Sequence, residues 1–377
     1  MIEVFLIPSL AVLVLLAWGI DYINGFHDTA NSIATVVSTG VLPAKYALVM
    51  SATLNFAGAL AGTSVATTIA KGIAESNHVV PAVIAAALMA AITWDLLTWW
   101  FGIPSSTSHT LLGGLAGAVV AHAGFDALHM KKLKEIGAFI IISPAMGFLV
   151  GMLLILVILW IVRRRSSHKV NIVFRKAQLV SAAAMSFTHG QNDAQKAMGI
   201  ICLALIAYKF HLPLDAKLKV VVPLWVKIGS ATFMALGTAS GGWKIIKTMG
   251  SKIVKLRPIH GFAAETAAAA VLFTTAHFGI PVSTTHSITG AIMGVGATMN
   301  ASAVRWGVAG NIIVAWVLTI PISALLAAGF LKLVAPYFRS SRSREVAGMH
   351  SSRHSHALHL PSLRRGCPSS LGFTVFP

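Results

Sequence analysis

Two kinds of short motif carry the chemistry of this sequence. In the first, an aspartate is wrapped in amide, hydroxyl and imidazole residues: Asp28 among Asn24, His27, Thr29, Asn31 and Ser32, and Asp193 among His189, Gln191, Asn192 and Gln195, with Lys196 following. In the second, Gly-Ile-Pro leads into a run of hydroxyls: Ser105, Ser106 and Thr107 after Pro104, and Ser283, Thr284 and Thr285 after Pro281. Proline suits the first turn of a helix, and the Ser and Thr that follow suit capping and hydroxyl donation. The free N–H groups of such a helix start, with its hydroxyls, make a cradle for a tetrahedral oxyanion. Two such starts would hold one anion between them, beside a pair of carboxylates able to carry a proton or a cation.

Each motif also has a plainer reading. The aspartates could pair with Lys196 or Lys227 and merely brace the protein. The hydroxyls could bond back to helix carbonyls, and Gly113, Gly117, Gly290 and Gly294 serve close helix packing. Packing is the better account of the glycines. For the hydroxyls it is the weaker one, because they recur with proline at the same offset. His27, His109 and His286 adjoin the motifs, where an intramembrane histidine is either a satisfied donor or a group that moves protons. Asp95 and Glu265 meet leucine in the internal alignment, so each belongs to one motif set only. Trp94, Trp99 and Trp100 read as interfacial anchors.

The elements that position these motifs follow from where charge is missing. Only 11% of residues are charged and 56% are apolar, and the stretches 137–162, 266–304 and 306–331 hold no Asp, Glu, Lys or Arg. Each exceeds the roughly 20 residues that span a hydrocarbon core. Backbone in lipid must satisfy its own hydrogen bonds, and the runs are too long and unalternating for barrel strands, so they are helices. The chain is therefore read as an all-α integral membrane protein. No basic residue precedes the first apolar run, which argues against a cleaved signal peptide; residues 4–20 stay as a membrane segment. A net charge of +18 would point to nucleic acid in a soluble protein. Here the basic residues lie between apolar runs, including Arg163 to Lys176 and Lys244 to Arg257, and set topology with both clusters facing the cytoplasm. Two cysteines, Cys202 and Cys367, provide no disulfide framework.

The chain also matches itself. Besides the motif pairs, Ser51-Ala-Thr53 matches Ser230-Ala-Thr232, and Gly58 and Gly62 match Gly237 and Gly241. This divides it into a first repeat, 1–162, a basic cytoplasmic linker, 163–176, a second repeat, 177–338, and a disordered basic tail, 339–377, rich in Ser and His. His350, His354, His356 and His359 in that tail read as low complexity rather than a metal site, and no resident metal or cofactor is expected. Five apolar units per half give about ten transmembrane helices. An odd number inverts one half relative to the other, with the site near the midplane at the repeat interface. The unit 4–40 exceeds one crossing, so the expectation is a helix followed by a re-entrant piece, with broken helices at the site in both halves.

Taken together, Asn24-Gly-Phe-His-Asp28-Thr-Ala-Asn31-Ser32, His189-Gly-Gln-Asn-Asp193-Ala-Gln-Lys196 and the two Gly-Ile-Pro motifs resemble the inorganic phosphate transporter (Pit) family over residues 4–335. The resemblance implies a multi-pass transporter of inorganic phosphate in the bacterial cytoplasmic membrane, and not an enzyme. Carried over by position, Ser105, Ser106, Thr107, Ser283, Thr284, Thr285, Asn192 and Lys196 would bind phosphate, and Asp28, Asp193, Asn31 and His27 would couple it to a proton or cation. The implied partners are protons, a divalent metal ion accompanying phosphate as a neutral complex, the lipid bilayer and a second copy of the chain as a homodimer. His27 stands where the family commonly has Asn, and Gln195-Lys196 where it has Ala-Asn. An Asn carbonyl can ligate sodium and a lysine ammonium cannot, which weakens sodium coupling and resembles the bacterial low-affinity, proton-coupled branch. Sodium-coupled phosphate symport, a Pit-like sulfate permease and a passive channel are the alternatives. A protonated phosphate donates a hydrogen bond to Asp whereas sulfate does not, which favours phosphate.

Overall fold

The computed structural model describes residues 7–70, 78–208 and 221–355 of the 377. Among them no strand occurs, and the helices in chain order are α1 (Pro8–His27), α2 (Thr29–Ser38), α3 (Ala44–Leu60), α4 (Ser64–Ala70), α5 (Pro81–Phe101), α6 (Thr107–Ala123), α7 (Met130–Val162), α8 (Ser167–Ala207), α9 (Leu224–Ser240), α10 (Trp243–Lys247), α11 (Pro258–His277), α12 (Thr284–Met299) and α13 (Trp306–Ser355). Residues Met1–Pro336 form one compact unit and Tyr337–Pro377 another. By length and composition, Pro8–Ser38, Pro81–Phe101, Leu133–Val162 and Trp306–Phe338 can each cross a membrane, and α3 with α4, bent by 63°, makes a fifth span. α6, α9 and α12 fall short at 17, 17 and 16 residues. α8 and α11 are long enough but carry the polar residues of the interior, which lowers their hydropathy.

The connection expected to be a basic linker is mostly helix. Only Arg163 to Ser166 separate α7 from α8, and Lys169, Arg175 and Lys176 lie on α8 itself. Helix α13 likewise continues past Arg339, where disorder was expected, to Ser355; residues 356–377 and the side chains of the tail histidines lie outside the described residues.

The first Asp motif breaks its helix at one residue. Asp28 ends α1 and precedes α2 with φ −95° and ψ 6°, its N–H held by the Asn24 carbonyl at 2.8 Å and its own carbonyl by the Asn31 N–H at 2.9 Å. The second motif breaks nothing: Asp193 lies inside the continuous 41-residue α8, so the expectation of broken helices in both halves fails for this half, and in the first half α1 and α2 together form one 31-residue span rather than a helix and a re-entrant piece.

The Gly-Ile-Pro motifs are the turns of two helical hairpins, α5–α6 and α11–α12. Gly102 closes α5 with φ +67°, and Gly279 follows α11 with φ +69°, backbone that glycine adopts without strain. Pro104 and Pro281 do not enter the first helical turn as the sequence suggested. They lie in non-helical backbone, and α6 and α12 begin three residues later, at Thr107 and Thr284, capped by the extended residues Ser106 and Ser283. This non-helical backbone is satisfied by the protein itself. Thr248 and Thr68 donate to the Gly102 and Gly279 carbonyls at 2.9 and 2.7 Å, and Trp316 Nε1 donates to the Pro104 carbonyl at 3.0 Å.

The two motif sets interlock rather than packing as separate bodies. A Cβ added to Gly25 on α1 would lie 2.2 Å from the Met234 carbonyl on α9, and one added to Gly237 on α9 would lie 2.0 Å from the Tyr22 carbonyl on α1. The α3–α8 seam repeats the arrangement, with Gly58 facing Phe187 and Gly190 facing Asn55. Gly290 and Gly294 press on Pro144 and Phe148 of α7, as Gly113 and Gly117 press on Ile320 and Ala324 of α13. The glycines therefore serve helix contact, as the plainer reading held. Outside this core, α7 and α13 expose Leu149, Leu153, Val157 and Ile313, Val317, Leu325, an apolar surface suited to lipid and not to water. Of the tryptophans, Trp100 is exposed beneath the Lys244 ammonium, 4.2 Å from the ring centre, whereas Trp94 is half-buried and donates to Thr319 at 3.2 Å, so it joins helices rather than anchoring the surface.

Candidate functional site

The first turn of α12 reaches both aspartates. The Thr285 hydroxyl donates to Asp28 Oδ2 at 3.2 Å and the Thr284 hydroxyl to Asp193 Oδ2 at 3.0 Å. Asn31, on α2 just past the break, completes the bridge by donating its amide to Thr284 and Thr285 at 3.2 and 3.0 Å. Each hydroxyl thus accepts once and donates once. All five residues are buried. A carboxylate from each motif, a helix start and an amide meet at one point, where the broken α1–α2 pair faces the unbroken α8.

The aspartates differ in their remaining partners. Lys196, one turn along α8, places its ammonium against Asp193 Oδ1. Asp28 has no cation at the matching position, which is Asn31; its other oxygen lies 2.7 Å from His27 Nδ1. The far ring nitrogen of His27 is 3.1 Å from the Thr98 hydroxyl and 3.3 Å from that of Ser105, and these two hydroxyls lie 2.8 Å apart. Ser105 therefore reaches Asp28 only through His27. Across the site, His189 Nε2 lies 3.3 Å from Asp193 Oδ2, and its Nδ1 lies 3.0 Å from Asn55 Oδ1. Asn55 is oriented by donating its amide to Thr238 at 2.9 Å. With the Nδ1 hydrogen directed at Asn55, Nε2 turns a lone pair toward the carboxylate, an arrangement that a shared proton or a cation between them would satisfy. Asp28, His189 and Asp193 each bring one ligand atom within 4.8 Å of the others.

Other residues picked out from the sequence lie around this centre. Ser106 and Ser283 accept the His109 and His286 N–H at 3.3 and 3.2 Å, which uses their oxygens as caps and leaves each O–H to donate. Thr107 is buried in the first turn of α6. Asn192 does not fit the anion-binding role expected of it. It points away from Asp193 on α8, and its amide is committed to the Thr188 and Leu272 carbonyls at 2.9 and 3.1 Å. Lys196, not Lys227, is the ammonium that meets Asp193; Lys227 is half-buried on α9. Lys196 also borders a small cavity with Ser108, Ile69 and Pro281. His109 and His286 meet edge to face at 4.6 Å, and His286 stacks on Trp316 at 3.8 Å.

Asp95 and Glu265 are buried outside the pair. Asp95 accepts from Thr110 at 2.9 Å, and Glu265 accepts from Thr35, Gln178 and Ser181. Three further residues were not singled out by sequence reasoning. Asn55 and Thr98 orient the histidines, and no spacing rule marks them because they come from α3 and α5. Asp21 is a buried carboxylate on α1, and it did carry a signal: seven residues before Asp28, it falls on the same helix face.

Residues 24–327 match the Phosphate transporter family. A probable low-affinity inorganic phosphate transporter from Rhizobium meliloti is 50% identical over 322 residues, covering 85% of this chain and 95% of that protein. A protein of the same description from Bacillus subtilis is 46% identical over 328 residues, covering 86% and 97%, and one from Mycobacterium bovis is 41% identical, covering 85% and 76%. The solved structure of a sodium-dependent phosphate transporter is 24% identical and superposes with a TM-score of 0.79 over 87% of this chain and 99% of that one, so the two share a fold. This chain belongs to the phosphate transporter family.

Proposed function

We propose that this protein is a secondary active transporter that carries inorganic phosphate across the bacterial cytoplasmic membrane by proton symport. The observation that carries the reading is the hydroxyl bridge: Thr284 and Thr285 hold Asp193 and Asp28 while Lys196 and the capping hydroxyls Ser106 and Ser283 line the same helix starts. Phosphate entering between the hairpins takes hydroxyl donors from α6 and α12 and charge from Lys196. Its own P–OH has Asp28 or Asp193 to donate to, a contact that sulfate lacks. Nothing in this sequence of contacts breaks a covalent bond.

The seams support a ten-span arrangement of two inverted repeats, because exchanging the two motif sets, α1 for α8 and α3 for α9, turns the α1–α9 seam into the α8–α3 seam. Asp28, His189 and Asp193 would hold a divalent ion travelling as cargo with phosphate. Lys196 favours proton over sodium coupling, since it takes the position where Asn31 stands in the other motif and brings a positive charge there.

The test is uptake of labelled phosphate into proteoliposomes of the purified protein under an imposed pH gradient or sodium gradient. Uptake is expected to follow the pH gradient, to be unchanged when sodium is replaced by potassium, and to resist excess sulfate. Accumulation that follows sodium and ignores pH would overturn proton coupling, and inhibition by sulfate would overturn the anion assignment. Asp28→Asn is expected to lower phosphate counterflow at least about tenfold; undiminished exchange in that variant would place the site elsewhere.

A further inference from the structure

Besides Asp95 and Glu265, a third buried carboxylate stands apart from the transport site. Asp21 lies on α1 and is 1% exposed. Seven residues separate it from Asp28, so it sits ~10 Å along the helix axis on nearly the same face. Asn24 lies between them, one turn from each. The matching positions on α8 are Ser186, His189 and Asp193. A polar stripe thus leads away from the site on both helices, and the one on α1 ends in a carboxylate.

Asp21 Oδ2 and Asn24 Oδ1 are buried without a hydrogen-bond partner at normal length, and the one hydroxyl that bears on Asp21 is that of Ser230 on α9, itself buried. Two of these atoms only accept, and Ser230 brings a single O–H. Among these three atoms one donor hydrogen is lacking, and a proton on Asp21 supplies it. An acceptor left buried and unpaired costs about 1–3 kcal/mol, more if it is charged, so proton binding here is favoured by the loss of that penalty.

The charges around it do not supply a substitute. On α8, Asp193 and Lys196 both act on Asp21 with opposite signs, and they are paired with each other. On α5, Asp95 is engaged by Thr110. On α1 itself, His27 and Asp28 are joined to one another, and on α9 the ionisable residue is the half-buried Lys227. A metal ion is a poor fit, because hard cations take six or more oxygens, whereas the unpartnered oxygens here are one each from Asp21, Asn24 and Ser230.

We infer that Asp21 is a proton-binding carboxylate of the coupling path, a way station between one face of the membrane and Asp28. Its cycle is balanced by one proton: Asp21 takes H⁺ from the aqueous side to form the neutral acid, gives it up toward Asp28 when the phosphate site is loaded, and returns to the carboxylate. The inference rests on proton symport, and the experiment separates the two.

Wild type, Asp21→Asn and Asp21→Glu are reconstituted. Labelled phosphate is followed both as counterflow at equal pH and as accumulation under a pH gradient. Asp21→Asn is expected to keep counterflow while losing about tenfold or more of pH-driven accumulation, and Asp21→Glu to keep both with a displaced pH profile. Accumulation by Asp21→Asn with the wild-type pH dependence overturns the assignment, and so does a parallel loss of counterflow and accumulation, which marks a structural role. If Asp21→Asn does not reach the membrane, Asp21→Glu decides alone: an unmoved pH profile overturns the inference and a displaced one supports it. Wild-type uptake that follows sodium instead of pH defeats the symport reading itself, whatever the variants do.

Discussion

Replacing Lys196 with methionine is expected to abolish phosphate exchange and to lower the stability of the purified protein by about 3–5 kcal/mol, because it strands the Asp193 carboxylate in a buried site. The informative comparison is with the double variant Asp193→Asn, Lys196→Met. There the charge is removed with its partner, and Thr284 can still donate to the asparagine oxygen. Thermal unfolding of the double variant is expected to return to within about 1 kcal/mol of wild type, a coupling between neighbours that single substitutions cannot reveal. Transport is expected to stay absent. Recovery of stability together with phosphate counterflow would show that the pair only braces α8, the plainer reading of a buried ion pair. The two measurements therefore separate a structural lysine from one that meets the substrate.

A second large effect is expected from a single methyl group. Gly58→Ala and Gly237→Ala each place a Cβ 2.0 Å from a backbone carbonyl oxygen on the facing helix, at Phe187 and Tyr22 respectively. A carbonyl inside a helix cannot rotate away as a long side chain would, so α3 and α8, or α1 and α9, must move apart by about 1 Å and lose contact along the seam. Each substitution is expected to destabilise by about 3 kcal/mol or more and to cut the yield of monodisperse protein sharply. Gly307→Ala and Gly329→Ala are the controls, since nothing lies within 4 Å of a Cβ added at either position. In those helical sites alanine is expected to stabilise by about 0.5–1 kcal/mol. Equal behaviour of the two groups in size-exclusion and melting experiments would mean that the seams tolerate separation.

Much of this was legible because membrane segments write their exceptions plainly. Asp28, Asp193 and the hydroxyl runs stood out as polar residues at matching offsets in apolar surroundings, and the structure gathers Asp28, Asn31, Asp193, Lys196, Thr284 and Thr285. What could not be read was how each local conflict is resolved. Proline is compatible with a helix start and with non-helical backbone; the choice at Pro104 falls to the latter because Gly102 turns the chain and Ser106, two residues on, caps the next helix. Nor does a duplicated motif imply a duplicated backbone. Asp193 meets a cation at i+3 within the unbroken α8, whereas Asp28 has Asn31 there and its side chain turns to the Thr285 hydroxyl. Asn192 was misjudged because identity alone does not say which face of a helix a residue occupies. The interlocked seams were invisible for a related reason: a glycine declares close contact but not its partner.

The difference between the hinged α1–α2 pair and the unbroken α8 gives the two carboxylates unequal mechanical compliance. Asp28 sits at the joint, where a change in one pair of backbone dihedrals redirects it relative to the helix before and after it. Asp193 rides on a rod of 41 residues, ~60 Å at 1.5 Å per residue and about twice the thickness of a hydrocarbon core. Lys196 and His189 share that helix with it, so the three move together. One carboxylate therefore sits at a local break in its helix, while the other is carried by a helix longer than the bilayer is thick.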